Sequence, residues 1–220
     1  SFVACVVLGL IIIPILKRLK VGQMEREDGP QSHLKKQGTP TMGGIIMGII
    51  IAVIGGFLYY SYSKSEPTVA QNLLPLIILA LGCGAIGFID DFKKLVLKNT
   101  KGISAKAKMF GLFTIATIFT IYLVKVQNIE TDIIIPFIGK SIMLPIWVYI
   151  PFTIFVILSV TNAVNLTDGV DGLASCVVLA MTLGLTFISI MLDIKEVTIM
   201  GSIVLGICLG FLIFNMHPAK

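Results

Sequence analysis

Apolar runs long enough to cross a lipid bilayer recur down this chain, and no soluble fold of this size could bury them all. A spanning helix needs about 20 residues, within a range of about 17–25. Seven runs approach or meet that length: residues 2–16, 42–62, 72–89, 109–126, 146–163, 172–191 and 197–214. Hydrophobic residues make up 56% of the 220-residue chain and charged residues 13%, against roughly 45–50% and 25% in soluble domains. The mean hydropathy of +0.97 agrees. Lipid is therefore the main solvent, and it demands that backbone polar groups be paired inside helices. The expected fold is all-α: a polytopic transmembrane helical bundle with seven spans, forming one domain over residues 1–220. Residue 1 is not Met and falls within an apolar run, and residues 214–220 step into a polar turn. The chain thus reads as a fragment truncated at both ends.

Basic residues give the bundle a direction, because cytoplasmic loops carry the excess of Lys and Arg. Alternate loops hold 13 of the 17 basic residues, and the opposite side holds only Lys64, Lys125, Lys140 and Lys195. The basic side, comprising residues 17–41, 90–108, 161–171 and the C-terminal tail, is the expected cytoplasmic face. The net charge of +5 follows from this topology and from an anionic ligand, and nucleic acid is not an expected partner. On the outer side, residues 127–145 alternate turn and β-branched residues as a small hairpin would. Trp147 and Tyr149 suit an interfacial anchor. Cys5, Cys83, Cys176 and Cys208 lie in apolar runs without CxxC spacing and read as small core residues.

Asp90 and Asp91 follow an apolar run directly. Two adjacent carboxylates at a membrane border require a cation or a basic partner. Neighbours on a helix point about 100° apart, so the two should not chelate one ion together. The plain alternative is an acidic helix end in water, but acids at a helix C-terminus oppose its dipole. Lys93, Lys94, Lys98, Lys101, Lys106 and Lys108 come next. Asp90, Lys94 and Lys98 recur every four residues and would share one helical face suited to a phosphate. Topology and attraction to anionic lipid head groups account for part of this run without any chemistry.

Asn162, Asn165, Asp168 and Asp171 recur every three residues after another span, interleaved with Gly169 and Gly172. A helix broken there gathers amides, carboxylates and backbone N–H groups in a small volume suited to uracil recognition and metal coordination. Residues 36–44, Lys-Gln-Gly-Thr-Pro-Thr-Met-Gly-Gly, combine a proline turn, a threonine cap and glycines at a helix start. With Lys36 alongside, that start is a weaker anion-site signal. His33 and His217 lack a second ligand at metal spacing.

Residues 38–44, 88–94 (Phe-Ile-Asp-Asp-Phe-Lys-Lys), 162–174 and 214–220 (Phe-Asn-Met-His-Pro-Ala-Lys) together resemble, in order, the bacterial phospho-N-acetylmuramoyl-pentapeptide transferases. That family, also called translocase I, belongs to the polyprenyl-phosphate N-acetylhexosamine-1-phosphate transferases. The start of the first motif favours it over its sister branch. The resemblance implies a donor, UDP-MurNAc-pentapeptide, and an acceptor, undecaprenyl phosphate, with lipid I and UMP as products and Mg²⁺ as cofactor. It also implies ten spans in the full protein, a homodimer, and competition by uridine-mimicking nucleoside antibiotics. It places a further metal-binding aspartate and a histidine-rich loop after residue 220, and without them residues 1–220 alone are expected to be inactive.

The roles implied are catalytic for Asp90, Asp91, Asp168, Lys94 and Lys106, with Asp91 and Asp168 as metal ligands. Lys36, Thr41, Lys98, Asn162, Asn165, Leu166, Gly169, Asp171 and Asn215 are expected to bind substrate. Phosphoryl transfer needs charge neutralisation and alignment more than covalent work, and Asp90 is expected to orient or deprotonate the lipid phosphate. A rival route makes one aspartate a nucleophile. A different class, the secondary transporter, would place its acids near the bilayer midplane, whereas these carboxylates map to one border.

Overall fold

The computed structural model describes residues 1–18, 42–97, 102–135 and 138–216. In order these form α1 (Phe2–Arg18), α2 (Gly44–Ile50), a π-helical turn (Ile51–Gly55), α3 (Gly56–Ser65), α4 (Pro67–Leu97) and α5 (Ala105–Lys125). Then follow β1 (Asp132–Ile134), β2 (Ser141–Met143), α6 (Ile146–Thr167), α7 (Leu173–Met191) and α8 (Lys195–Asn215). Among the described residues, six continuous helices are long and apolar enough to cross a membrane: Gly44–Ser65, Pro67–Leu95, Ala105–Lys125, Ile146–Thr167, Leu173–Met191 and Lys195–Asn215. The seventh expected span, α1, is helical over 17 residues, the lower limit of about 17 for a crossing helix. The fold is a polytopic helical membrane bundle.

Most helices overrun their apolar stretches, because polar residues at the ends continue the hydrogen-bonded ladder into the head-group layer. Helix α4 is the longest. It opens on Pro67, whose missing N–H costs nothing in a first turn, and continues for 31 residues, roughly 46 Å at 1.5 Å per residue. Its acidic pair lies about 35 Å from its start by the same measure, just past a hydrocarbon core of about 30 Å. The pair lies about two turns before the helix end, and the helix runs on through Lys94, as the shared face of Asp90 and Lys94 expects.

Small residues decide how closely α1 and α8 approach. The two run parallel. Ser1 Oγ donates to Ser202 O at 3.4 Å and Cys5 Sγ to Ile207 O at 3.5 Å. Gly206 and Gly210, one GxxxG step apart, let the α1 backbone settle against α8. A methyl group at Gly210 would lie 2.7 Å from Cys5 Cβ and 3.0 Å from Phe2 O, and one at Gly9 would fall on the Phe214 ring. Cys5 and Ile13 join Ile46, Ile50, Ile203 and Ile207 in the main buried cluster, which ties α1, α2 and α8 together. All four cysteines are unpaired. Large side chains such as Phe110, Phe155 and Met181 are exposed on the bundle's outside, where lipid rather than water meets them.

One end of the bundle is tied by polar contacts between helix ends and the residues beside them. Lys195 Nζ pairs with Glu66 Oε2 at 2.6 Å, Asn72 Nδ2 donates to Glu196 Oε1 at 3.0 Å, and Gln127 Nε2 donates to Gln71 O at 2.9 Å. The hairpin expected between residues 127 and 145 is present. Its strands are antiparallel with Ile133 opposite Ile142, and Thr131 Oγ1 closes it onto Leu144 O at 2.6 Å. Exposed Trp147 lies in the first turn of α6, which follows the hairpin.

Substituting Gly210→Leu should drive α1 off α8. The expected loss is about 1–3 kcal/mol, typical of overpacking, read as a lower midpoint of thermal unfolding in detergent. Gly184→Leu, at a site with open space around it, should leave that midpoint nearly unchanged.

Candidate active site

The end of the bundle opposite these polar ties gathers the described parts of all the sequence motifs. In α4, Asp90 and Lys94 stand one turn apart, and Lys94 Nζ reaches Asp90 Oδ2 at 2.7 Å and Asp91 Oδ1 at 3.2 Å. One ammonium thus serves both carboxylates, which is how adjacent acids coexist at this border. Lys94 and Asp91 remain more than a third exposed. Ion pairs that open to water contribute at most about 1 kcal/mol, so the arrangement sets charge and geometry more than stability.

Asp90 is different, being buried. Its other oxygen, Oδ1, accepts the Ile103 backbone N–H at 2.8 Å. The residue before, Gly102, is held at φ +52°, and a Cβ there would fall on Asp90 Oδ1 and lie 2.8 Å from Lys94 Cε. Only glycine allows this approach without strain. Ser104 then caps α5, its Oγ accepting from Ala107 N at 3.3 Å, as serine does ahead of a first helical turn.

From that cap, α5 carries the connection to the second motif. Lys108 Nζ donates to Asn165 Oδ1 at 2.9 Å, and Met109 Sδ accepts from Asn162 Nδ2 at 3.5 Å. Both asparagines lie in the last two turns of α6. That helix stops after Thr167, where Asp168 leaves helical geometry at ψ 44°. A five-residue turn holding Asp168, Gly169 and Asp171 ends on Gly172 at φ +77°, ahead of α7. The break that the glycines foretell therefore begins after Thr167, and Asn162 and Asn165 remain helical. A Cβ at Gly172 would lie 3.6 Å from Asn215 O, which seats the turn on the last residue of α8.

The first motif enters at the same end. Met42, buried at φ +73°, packs with Leu16 at the end of α1 and Leu95 at the end of α4. A Cβ at Gly43 would lie 2.8 Å from the Phe211 ring. Carboxylates, lysines, amides and a glycine-lined helix start thus converge from α2, α4, α5, α6, α7 and α8. Lys106 and Leu166 are exposed at this end, and Asp171 and Asn215 are half-buried. Lys36, Thr41 and Lys98, with His33 and His217, lie outside the described residues. Among the described residues no group of three or more His, Cys, Asp or Glu is near enough to hold a metal.

Sequence reasoning did not single out Gly102, Ile103 or Lys108. A readable signal existed for the first two, since Gly-Ile-Ser before a helix is a turn followed by a cap. Lys108 was indistinguishable from its topological neighbours.

A family model for glycosyl transferase family 4 matches residues 73–220, two thirds of the chain. The chain belongs to glycosyl transferase family 4. A phospho-N-acetylmuramoyl-pentapeptide-transferase signature also matches residues 36–46. Proteins named phospho-N-acetylmuramoyl-pentapeptide-transferase match the whole chain in Acetivibrio thermocellus (44% identical), Desulforamulus reducens (43%) and Halalkalibacterium halodurans (40%). The chain spans 64%, 65% and 66% of their respective lengths. These relatives agree with the branch of the family that the motifs resemble.

Gly102→Ala places a methyl group in the space of the Asp90 carboxylate at a positive φ. The variant should lose about 1–3 kcal/mol, with the loss measured by thermal unfolding in detergent. Gly139→Ala, also at positive φ but with open space around it, should lose less.

Proposed function

We propose that this chain is the larger part of an enzyme that transfers phospho-MurNAc-pentapeptide from UDP-MurNAc-pentapeptide to undecaprenyl phosphate. The products are lipid I and UMP, and the site lies at the cytoplasmic face of a bacterial inner membrane. The observation that carries this reading is the link through α5 from the Asp90–Asp91–Lys94 cluster to Asn162 and Asn165, at one end of a membrane bundle. Family membership supports it. So does the concentration of Lys17, Arg18, Lys93, Lys94, Lys106 and Lys108 at this end, as a cytoplasmic border requires. A homodimer, and nucleoside antibiotics that compete for the 162–172 turn, belong to the same reading and follow from the motif resemblance alone.

In this reading an oxygen of the lipid phosphate attacks the phosphorus that carries the sugar, and the bond from that phosphorus to the UMP oxygen breaks. Asp90, fixed by Ile103 N–H and Lys94, orients the lipid phosphate. Lys94 and Lys106 counter the charge that develops on the phosphoryl oxygens. Asn165, Asp168 and Asp171 hold the nucleoside diphosphate, with Asn162, Leu166, Gly169 and Asn215 around them and Lys36, Thr41 and Lys98 at the margin.

The donor set fits Mg²⁺, which is usually bound by one or two carboxylates together with waters and substrate phosphates rather than by an all-protein cage. Asp91, more than a third exposed and engaged through Oδ1, and Asp168, in the exposed turn, would hold it. Bound there, Mg²⁺ supplies charge neutralisation on the pyrophosphate.

Release of UMP from UDP-MurNAc-pentapeptide by the full-length enzyme, with undecaprenyl phosphate and with or without Mg²⁺, tests the function. Asp90→Asn, Asp91→Asn and Asp168→Asn should each slow that release by roughly a hundredfold or more while the protein stays folded. Turnover close to that of the parent in all three would overturn the site assignment.

A further inference from the structure

We propose that Lys108 is a positioning residue of the donor site. It holds the Asn165 carboxamide in the one orientation that presents N–H donors to the acceptor oxygens of a nucleoside diphosphate sugar. This role rests on the function proposed above.

An asparagine amide has two orientations of nearly identical shape, related by a half-turn of the terminal group, which exchange a double acceptor for a double donor. At an exposed helix end water satisfies either one, so the amide alone cannot tell a ligand's donors from its acceptors. A lysine ammonium removes the ambiguity because it can only donate. Lys108 Nζ stands 2.9 Å from Asn165 Oδ1, so the oxygen is committed to the lysine and the Nδ2 hydrogens are left for a ligand.

One helical turn earlier, Asn162 is set the other way. Its Nδ2 donates to Leu158 O at 2.7 Å and to Met109 Sδ at 3.5 Å, which leaves Oδ1 as the acceptor. Two consecutive residues of α5, Lys108 and Met109, therefore give two amides on α6 opposite polarity.

Lys108 also has a defined base. Its backbone N–H donates to Ser104 O at 3.0 Å, in the turn that Ser104 caps and that Ile103 anchors to Asp90. A lysine that served topology alone would need only to lie on this side of the membrane. One that orients an amide must sit at a fixed distance from it, and this one starts from a fixed turn.

A double-mutant cycle in the full-length enzyme tests the role, using UMP release at varied UDP-MurNAc-pentapeptide. Lys108→Met should raise KM for the donor about tenfold with little change in kcat, because it removes uniform binding rather than a transition-state contact. In an Asn165→Ala background the same change should add almost nothing. Lys108→Arg should restore KM, and Asn165→Asp, which keeps the contact with Lys108 but has no donors, should bind donor as poorly as Asn165→Ala.

If Lys108→Met raises KM by the same factor in both backgrounds, the lysine acts on substrate directly and the positioning role is overturned. An unchanged KM in the single variant overturns it as well. Parent turnover, measured first, tests the function separately. If the parent releases no UMP, the proposed function fails and this role fails with it.

Discussion

A buried carboxylate at the edge of a bilayer cannot stand uncompensated, and the compensation of Asp90 organises the motif-bearing end of this bundle. Desolvating an ion costs several kcal/mol unless partners replace the lost water, and Asp90 draws those partners from two directions. Lys94 comes from its own helix and the Ile103 N–H from beyond it. The second partner requires a backbone to approach a carboxylate closely, which in turn requires Gly102 and its left-handed turn. With that turn set, Ser104 is placed to cap α5, and α5 carries Lys108 to α6. A chain of local necessities thus leads from one acid to an amide 75 positions later in the sequence.

Lipid explains why all of this happens at helix ends. Inside the hydrocarbon every N–H and C=O is consumed by the helices themselves, so polar chemistry is confined to the borders, where helices stop, start or turn. The two ends of the bundle solve that problem differently. Around Glu66, Asn72, Gln127 and Lys195, charged and amide groups pair off between neighbouring helix ends. At the other end Asp90 and Asn162 each draw on two partners, while Lys106, Asn165 and Asp168 stay exposed to water. Groups with remaining hydrogen-bonding capacity open to water are what a polar ligand needs, and the end with paired ties offers little of it.

Much of this was legible beforehand, because a membrane chain writes its plan in long-period signals. The positions of the spans, the side rich in lysine, the hairpin after α5 and the break near Gly169 and Gly172 all follow from hydropathy and turn chemistry. The helical face shared by Asp90 and Lys94 was legible from their spacing, and α4 does continue past the acids to Leu97; that one ammonium serves both carboxylates was not. The roles of Gly102 and Lys108 were invisible for a different reason. A glycine among loop residues and a lysine among lysines carry no individual mark, and only the partner across space distinguishes them. Lys36, Thr41 and Lys98, drawn from the same motifs, lie outside the described residues.

The last turn of α8 acts as a keystone. Phe211 meets Gly43, Phe214 meets Gly9, and the carbonyl of Asn215 meets Gly172, so three junctions from three distant stretches of sequence bear on about one turn of one helix. Two of these contacts set an aromatic ring against bare backbone, with no methyl group between them to absorb movement, and packed interiors yield little. A tilt of α8 by a fraction of an ångström at its tip would therefore shift the mouth of α2 and the floor of the 168–172 turn together. Both are geared to one shaft.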